Sequence, residues 1–428
     1  MLTQLEQAKQ GIITDEMKQI ALEENVCVEE LKEKVAQGKI VILYRQNKKI
    51  KPVGIGKGLR TKINASIGTS TDLINLEMEI EKAKIAENYK ADTLMELSVG
   101  GDLDKIRKEI ISISNLPVGN VPLYQAFSEA IEKYGSVVKL EEKELFDIIE
   151  KQCADGLSFM AIHCGINQVV LERLRNQGYR YGGLVSKGGA SMVAWMVHNQ
   201  KENPLYEKFE KVVEILKKYD VILSLGNGLR AGSIMDSTDR AQIQELVINC
   251  ELACYAKEMG VQTMVEGPGH IPLNEIEANV ILEKCLSKDA PFYMLGPLPT
   301  DISIPYDHIS SSIGASLSSA YGADFICYVT PSEHLGLPYP EDVKTGVIAA
   351  RIAAHIGDIV KNGNIEQDMQ MSKARRDRDW EKQYELAIDK KEAKEFRLNR
   401  PNSDDSTCTM CGKFCATKIA NSYFICDK

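Results

Sequence analysis

The sequence predicts an α/β protein built on a (β/α)8 barrel, preceded by a small N-terminal helical segment and followed by a C-terminal helical region that ends in a cysteine-bearing tail. Three observations lead there. From about residue 61, short apolar bursts alternate with amphipathic helical stretches, the pattern of parallel strands joined by helices. The unusual polar residues follow their bursts, which in a barrel gathers them at the C-terminal mouth. Beyond about residue 355 the chain turns to charged helix and then to thiols.

Thr14 and Asp15 precede MKQIALEE, and VEELKEKVAQG ends on a glycine suited to a helix C-cap, so residues 1–60 read as short helices. Nine bursts follow: NASIGTS (64–70), TLMELSVGG (93–101), PVGNVPLYQ (117–125), FMAIHCGI (159–166), GGLVSKGG (182–189), VILSLGNG (221–228), VQTMVEGPGH (261–270), PFYMLGPLPTD (291–301) and ADFICYVTPSEH (323–334). A barrel needs eight strands, so one of the nine is expected to be a loop. These limits assign the barrel to 61–355, a helical region to 356–400 and a tail to 401–428. Inside the helical region, MSKARRDRDWEKQYELAIDKKEAKEFR reads as a solvated helical hairpin, with recruitment of anionic partners as the alternative.

Composition narrows the function classes. The 428 residues are 44% hydrophobic and 26% charged, which argues against a disordered chain or a coiled-coil rod. Lys+Arg 52 against Asp+Glu 61 leaves a net charge of −9, a field that repels nucleic acid and anionic membrane. No apolar run reaches the roughly 18 residues of a membrane span, and MLTQLEQAKQGIITDEM lacks the layout of a signal peptide, so a cytoplasmic protein is expected. Seven of the 11 cysteines are scattered from Cys27 to Cys327 and four crowd the last 21 residues, which points to reduced thiols with a terminal metal site.

Three constellations carry chemistry. Cys408, Cys411 and Cys415 form a tight thiol loop, with Cys426 eleven residues further on. Three thiolates suit a 4Fe-4S cluster with one iron left open, whereas recruitment of Cys426 would make structural zinc. His270 and His334 each follow a burst with a carboxylate nearby, Glu266 and Glu333, so two imidazoles from neighbouring strands could hold one divalent ion; satisfied structural histidines are the alternative. GNGLRAGS (226–233) and SKGGAS (186–191) could present backbone amides to a phosphate, with Arg230 or Lys187 adding charge, or could be plain tight turns.

Taken in order, GLVSKGG, LSLGNGLRAGS, MVEGPGHIP, PFYMLGPLPTDI, YDHIS, ICYVTPSEHLGLP, DVKTGVIAARIAAH and CTMCGKFC resemble the phosphomethylpyrimidine synthase (thiamin pyrimidine synthase) family of noncanonical radical S-adenosylmethionine enzymes, across the whole chain. The resemblance implies a barrel, a flexible cluster-bearing tail, and a homodimer in which one subunit's tail serves the other's barrel. By the same resemblance, Cys408, Cys411 and Cys415 are cluster ligands, S-adenosylmethionine chelates the open iron, and Cys426 is a bystander. His270 and His334 match the ligands of a mononuclear zinc or iron. The family substrate is 5-aminoimidazole ribotide, and its contacts match Met95, Tyr124, His163, Ser186, Lys187, Gly188, Asn227, Gly228, Leu229, Arg230, Glu266 and Tyr293, with His163 and Glu266 as polar or proton-transfer partners.

Three pocket positions depart from the thiamin enzyme's pattern: Ser66 stands where that pattern has Asn, Lys187 where it has Arg, and Asn227 where it has Asp. MELSVGG replaces MDLSTGG, DISIPYDHI replaces DIAPGYDHI, and the last cysteine gap is three residues instead of four. Arg to Lys exchanges a planar fork for a point charge, and Asp to Asn removes a charge. The cluster motif is kept while the pocket changes, as expected of the branch that starts from the same ribotide and makes 5-hydroxybenzimidazole, with formate, for a cobamide lower ligand. That product is the expectation. The thiamin pyrimidine phosphate is the first alternative, and a zinc-tailed, non-catalytic barrel that binds a nucleotide-like ligand is the second. An external electron donor is implied, and neither nucleic acid nor membrane is.

Overall fold

A computed structural model describes residues 2–45, 50–400 and 406–424. The chain forms two compact units, 1–362 and 363–428.

In the first unit, β1 (Ile40–Leu43) and β2 (Val53–Gly56) form an antiparallel pair. Eight parallel strands then close into a barrel: β3 (Lys62–Ile67), β4 (Thr93–Glu96), β5 (Val118–Asn120), β6 (Phe159–Ile162), β7 (Ile222–Leu225), β8 (Thr263–Glu266), β9 (Phe292–Met294) and β10 (Phe325–Cys327). Closure is made by β10 on β3, with Cys327 opposite Asn64. Helices cover the outside, so the strands are buried on both faces, and the polar side chains they carry, Asn64, Thr93 and Ser224 among them, are buried with them. The half-buried barrel-strand positions are Ser66 and Cys327.

Eight of the nine expected bursts are strands. The ninth, 182–189, is a loop running into the helix Lys187–Asn199, whose first turn is capped by Ser186 Oγ on the Gly189 amide at 3.1 Å. The N-terminal segment departs from the all-helical expectation. Helices Gln4–Lys9, Asp15–Glu24 and Val28–Ala36 form as read, Thr14 capping the second through the Met17 amide, but β1 and β2 follow them. The run IVIL is apolar at every position because β1 is sandwiched: Ile40 and Ile42 pack on the helices with Met17, Leu31 and Val35, while Val41 and Leu43 join the barrel core. A short run buried on both faces carries no period from which to tell strand from helix.

This N-terminal layer closes one end of the barrel. Gln262, just before β8, donates to Ile42 O and accepts from the Ile42 amide at 2.7 Å. Asp220, just before β7, accepts from the Gln4 amide and from Tyr44 Oη. Lys62, at the start of β3, pairs with Glu24 at 2.9 Å. All three contacts lie at N-terminal strand ends, which leaves the C-terminal mouth as the open end. Between the two ends the barrel is filled by aromatic rings. Phe325 packs on Tyr293 with ring centroids 4.2 Å apart and edge-on to Phe159 at 6.2 Å.

The expected boundary near residue 355 falls inside the helix Pro340–Asn362, which stays with the first unit. The second unit contains helices Glu366–Asp377, Trp380–Leu386, Lys390–Leu398 and Ala416–Phe424. Its charged run is largely solvated, as expected, but folds as three short helices rather than a hairpin. The Arg397 guanidinium stacks 3.9 Å above the Trp380 ring, and Lys394 pairs with Glu381 at 3.1 Å. No helix among the described residues is long and apolar enough to cross a membrane.

Gly119 lies against the Phe159 ring so closely that an added Cβ would overlap it. Gly119→Ala is therefore expected to destabilise the barrel by ~1–3 kcal/mol, read as a lower unfolding temperature; an unchanged temperature would show that the ring has room to move.

Candidate active site

The C-terminal mouth holds a cavity of about 670 Å3. Ten of the expected residues line it: Ser66, Met95, Tyr124, His163, Lys187, Arg230, Glu266, His270, Tyr293 and His334. Ser186, Gly188, Asn227, Gly228 and Leu229 do not, and each is occupied in building the wall.

His163 follows β6 directly and is buried. Its Nε2 is 3.1 Å from Ser186 Oγ, while Nδ1 has no hydrogen-bond partner among the described residues. Three glycines pack against the ring. A Cβ on Gly188 would come within 2.7 Å of Cε1, one on Gly226 within 3.1 Å of Cγ, and one on Gly228 within 3.0 Å of Cδ2. The glycines of both loops thus serve to admit an imidazole. Burial, reinforced by the Arg230 charge, pushes the His163 pKa down to about 3. The ring is neutral at physiological pH, and its unpaired buried nitrogen is a contact waiting for a ligand.

For the loop after β7 the sequence leaves two readings open, backbone amides offered to a phosphate or a plain tight turn. The Gly228 and Leu229 amides donate to the buried Glu245 carboxylate at 2.8 and 2.7 Å. Burial raises Glu245 to about 7 despite those bonds. The Asn227 amide donates to Glu266 Oε2 at 3.2 Å, and Ser224 Oγ donates to Glu266 Oε1 at 3.0 Å. Burial also raises Glu266 above its ordinary carboxylate value. What the loops offer an anion is therefore side-chain charge. Arg230, whose Nη1 donates to Asn227 O at 3.0 Å, and Lys187, whose Nζ lies 5.6 Å from the Tyr124 ring centroid, both face the cavity.

Two site residues escaped the sequence reading. Asn64 Nδ2 donates to Tyr293 Oη at 2.9 Å and to Ser66 Oγ at 3.2 Å, and Ser66 Oγ lies 3.4 Å from Cys327 Sγ. Burial raises both the Cys327 thiol and, further, the Tyr293 hydroxyl, so both stay protonated. Asn64 and Cys327 are 263 residues apart and meet only through barrel closure. No local pattern could have paired them.

His270 and His334 lie on one wall of the cavity with ring centroids 5.3 Å apart. Their strands, β8 and β10, are not neighbours as expected: β9 lies between them, and the connecting loops bring the rings together. His270 Nδ1 is 2.7 Å from Asp301 Oδ1, and His334 Nδ1 is 2.9 Å from Asp307 Oδ2. Both Nε2 atoms remain for an ion, a donor set that fits one divalent metal with open positions for substrate or water. Glu266 and Glu333, the two carboxylates near these histidines in sequence, both line the cavity and are raised by burial, but Glu266 is held by Ser224 and the Asn227 amide.

In the second unit, Cys408, Cys411 and Cys415 are carried on one loop closed by Gly412 N to Cys408 O at 3.0 Å and Phe414 N to Cys411 O at 2.9 Å. All three are free thiols, and Met410 and Phe414 beside them are exposed. Among the described residues no three His, Cys, Asp or Glu side chains converge as an ion site, so the thiols share a loop without sharing a centre. The spacing suits three ligands of a cluster, which would draw them together. Cys426 lies outside the described residues.

Comparison with known proteins places the chain. The profile of the radical SAM ThiC family matches residues 3–422. The chain is similar to the 5-hydroxybenzimidazole synthase of Desulfuromonas acetoxidans, 60% identical over 99% of this chain and 98% of that one. It is similar to the protein of the same name from Geobacter sulfurreducens, 60% identical over 100% and 99%. Phosphomethylpyrimidine synthase 1 of Methanothermobacter thermautotrophicus is 58% identical over 99% and 98%. With a family profile spanning nearly the whole sequence and relatives alike from end to end, the chain belongs to the radical SAM ThiC family of enzymes.

Proposed function

We propose that the chain converts 5-aminoimidazole ribotide to 5-hydroxybenzimidazole, with release of formate, as a step toward the lower ligand of a cobamide in the cytoplasm. Overall identity does not separate this from the thiamin pyrimidine reading, because relatives bearing the two names are 60% and 58% identical. The observation that favours the benzimidazole is the pocket. Ser66 and Lys187 depart from the thiamin pattern and line the cavity, while Asn227 lies behind it, bonded to Glu266 and Arg230 through its backbone amide and carbonyl.

Cys408, Cys411 and Cys415 would hold a 4Fe-4S cluster, which with S-adenosylmethionine and an external electron donor would supply the radical chemistry. Lys187 and Arg230 provide positive charge for the phosphate of the ribotide. His163, neutral and with Nδ1 unpaired, offers a hydrogen bond without adding charge. Glu266 is the group best able to take and return a proton, since burial raises it and Ser224 and the Asn227 amide hold its oxygens in place. Tyr293, fixed by Asn64, closes the floor of the cavity. A zinc or iron ion on His270 and His334 would polarise a substrate heteroatom. The family resemblance supports a homodimer in which one subunit's tail serves the partner's barrel.

Anaerobic reaction of the reconstituted, reduced protein with the ribotide and S-adenosylmethionine is expected to give a hydroxybenzimidazole by mass spectrometry; a pyrimidine phosphate would return the protein to thiamin biosynthesis. Cys411→Ala should reduce 5′-deoxyadenosine formation to background, and full turnover by that variant would defeat the cluster assignment. Combining Ser66→Asn, Lys187→Arg and Asn227→Asp should cut benzimidazole yield by about tenfold or more, since each alters a charge or hydrogen bond at the pocket. Equal yields would mean that these positions do not direct the product.

A further inference from the structure

An imidazole can present either nitrogen to a metal, and the loops that carry His270 and His334 do not by themselves choose. The hydrogen bonds do. Each Nδ1 faces an aspartate oxygen, Asp301 Oδ1 at 2.7 Å and Asp307 Oδ2 at 2.9 Å. An ionised carboxylate only accepts, so each Nδ1 carries its hydrogen and each Nε2 is left with its lone pair.

Neither aspartate is free to swing. Asp301 Oδ2 accepts from Ser233 Oγ at 2.8 Å and from the Ile234 amide at 3.0 Å. Asp307 is buried, its Oδ1 accepts from Ser303 Oγ at 2.5 Å, and it opens the helix Asp307–Tyr321, where the helix dipole favours a negative charge. Two independently anchored carboxylates therefore back two imidazoles on one cavity wall, 5.3 Å apart. Chance satisfaction of two histidine nitrogens would not require both partners to be carboxylates, nor both to be pinned by other donors.

We propose that Asp301 and Asp307 are positioning residues, which fix the tautomer and orientation of His270 and His334 so that both present Nε2 to one divalent ion. This rests on the reading of the two histidines as an ion site. A carboxylate behind a ligating imidazole also raises its basicity, and loss of such a partner typically costs 10–100-fold in metal affinity.

The test is zinc affinity, measured by competition with a chromophoric chelator. It uses the full-length chain carrying Cys408→Ser, Cys411→Ser and Cys415→Ser, so that the tail thiols do not compete. The parent is expected to bind one ion, and His270→Ala or His334→Ala to abolish binding. Unchanged binding in those two variants would overturn the ion site itself. Asp301→Asn and Asp307→Asn are expected to weaken binding about 10–100-fold while the ion-free proteins unfold at the parent's temperature. If the histidine variants lose zinc and both asparagine variants bind like the parent, the ion site stands and the positioning role falls. Affinity lost only together with a lowered ion-free unfolding temperature would make the aspartates structural. Asp301 is partly exposed, so its variant provides a reading even if Asp307→Asn fails to fold.

Discussion

Pairing of β10 with β3 closes the barrel, and the geometry of the mouth cavity depends on that junction. A parallel sheet left open would expose unpaired backbone groups along both edges, whereas closure satisfies them and forces the first and last strand ends together. Ser66 and Cys327, the half-buried positions on the barrel strands, meet across it. The loop that carries His334 leaves from the same strand end, and Asn64, Tyr293 and Phe325 fill the space beneath. The floor of the site is thus core packing, and its rim is loop chemistry.

Rigidity of the rim comes from burying charge and amides against each other. Glu245 takes the Gly228 and Leu229 amides, Glu266 takes the Asn227 amide, and the imidazole of His163 fills the gap left by three missing side chains. Burial raises both carboxylates, which is the cost of holding this loop from inside the protein rather than from solvent. The same arrangement leaves Arg230 and Lys187 pointing their charge into the cavity. A ligand meets a preformed pocket with two cations in it.

Eight strands were readable because each carries a cluster of apolar residues punctuated by polar or glycine-containing residues at its C-terminal end. The GGLVSKGG burst misled for a physical reason: three of its glycines make close packing contacts, Gly188 against the His163 ring, Gly189 against the Gly228 backbone and Gly182 against that of Gly232, and do not mark the start or end of a strand. The first hairpin was hidden because IVIL serves two cores at once. Glycines in GNGLR signalled an unusual loop correctly, but the carboxylate that takes its amides lies in the helix Arg240–Glu258, outside any window around the motif. Asn64, Cys327, Asp301 and Asp307 acquire their roles only through contacts that the fold creates. What reached further than local pattern was the ordered set of motifs, whose likeness to one family carried the histidine pair and the cysteine loop together.

The N-terminal layer has one more consequence. With Gln262, Asp220 and Lys62 tying it across the bottom of the barrel, the cavity opens at the C-terminal mouth. Substrate and product share that doorway. Whatever covers that doorway decides how long the contents of the cavity are kept from solution.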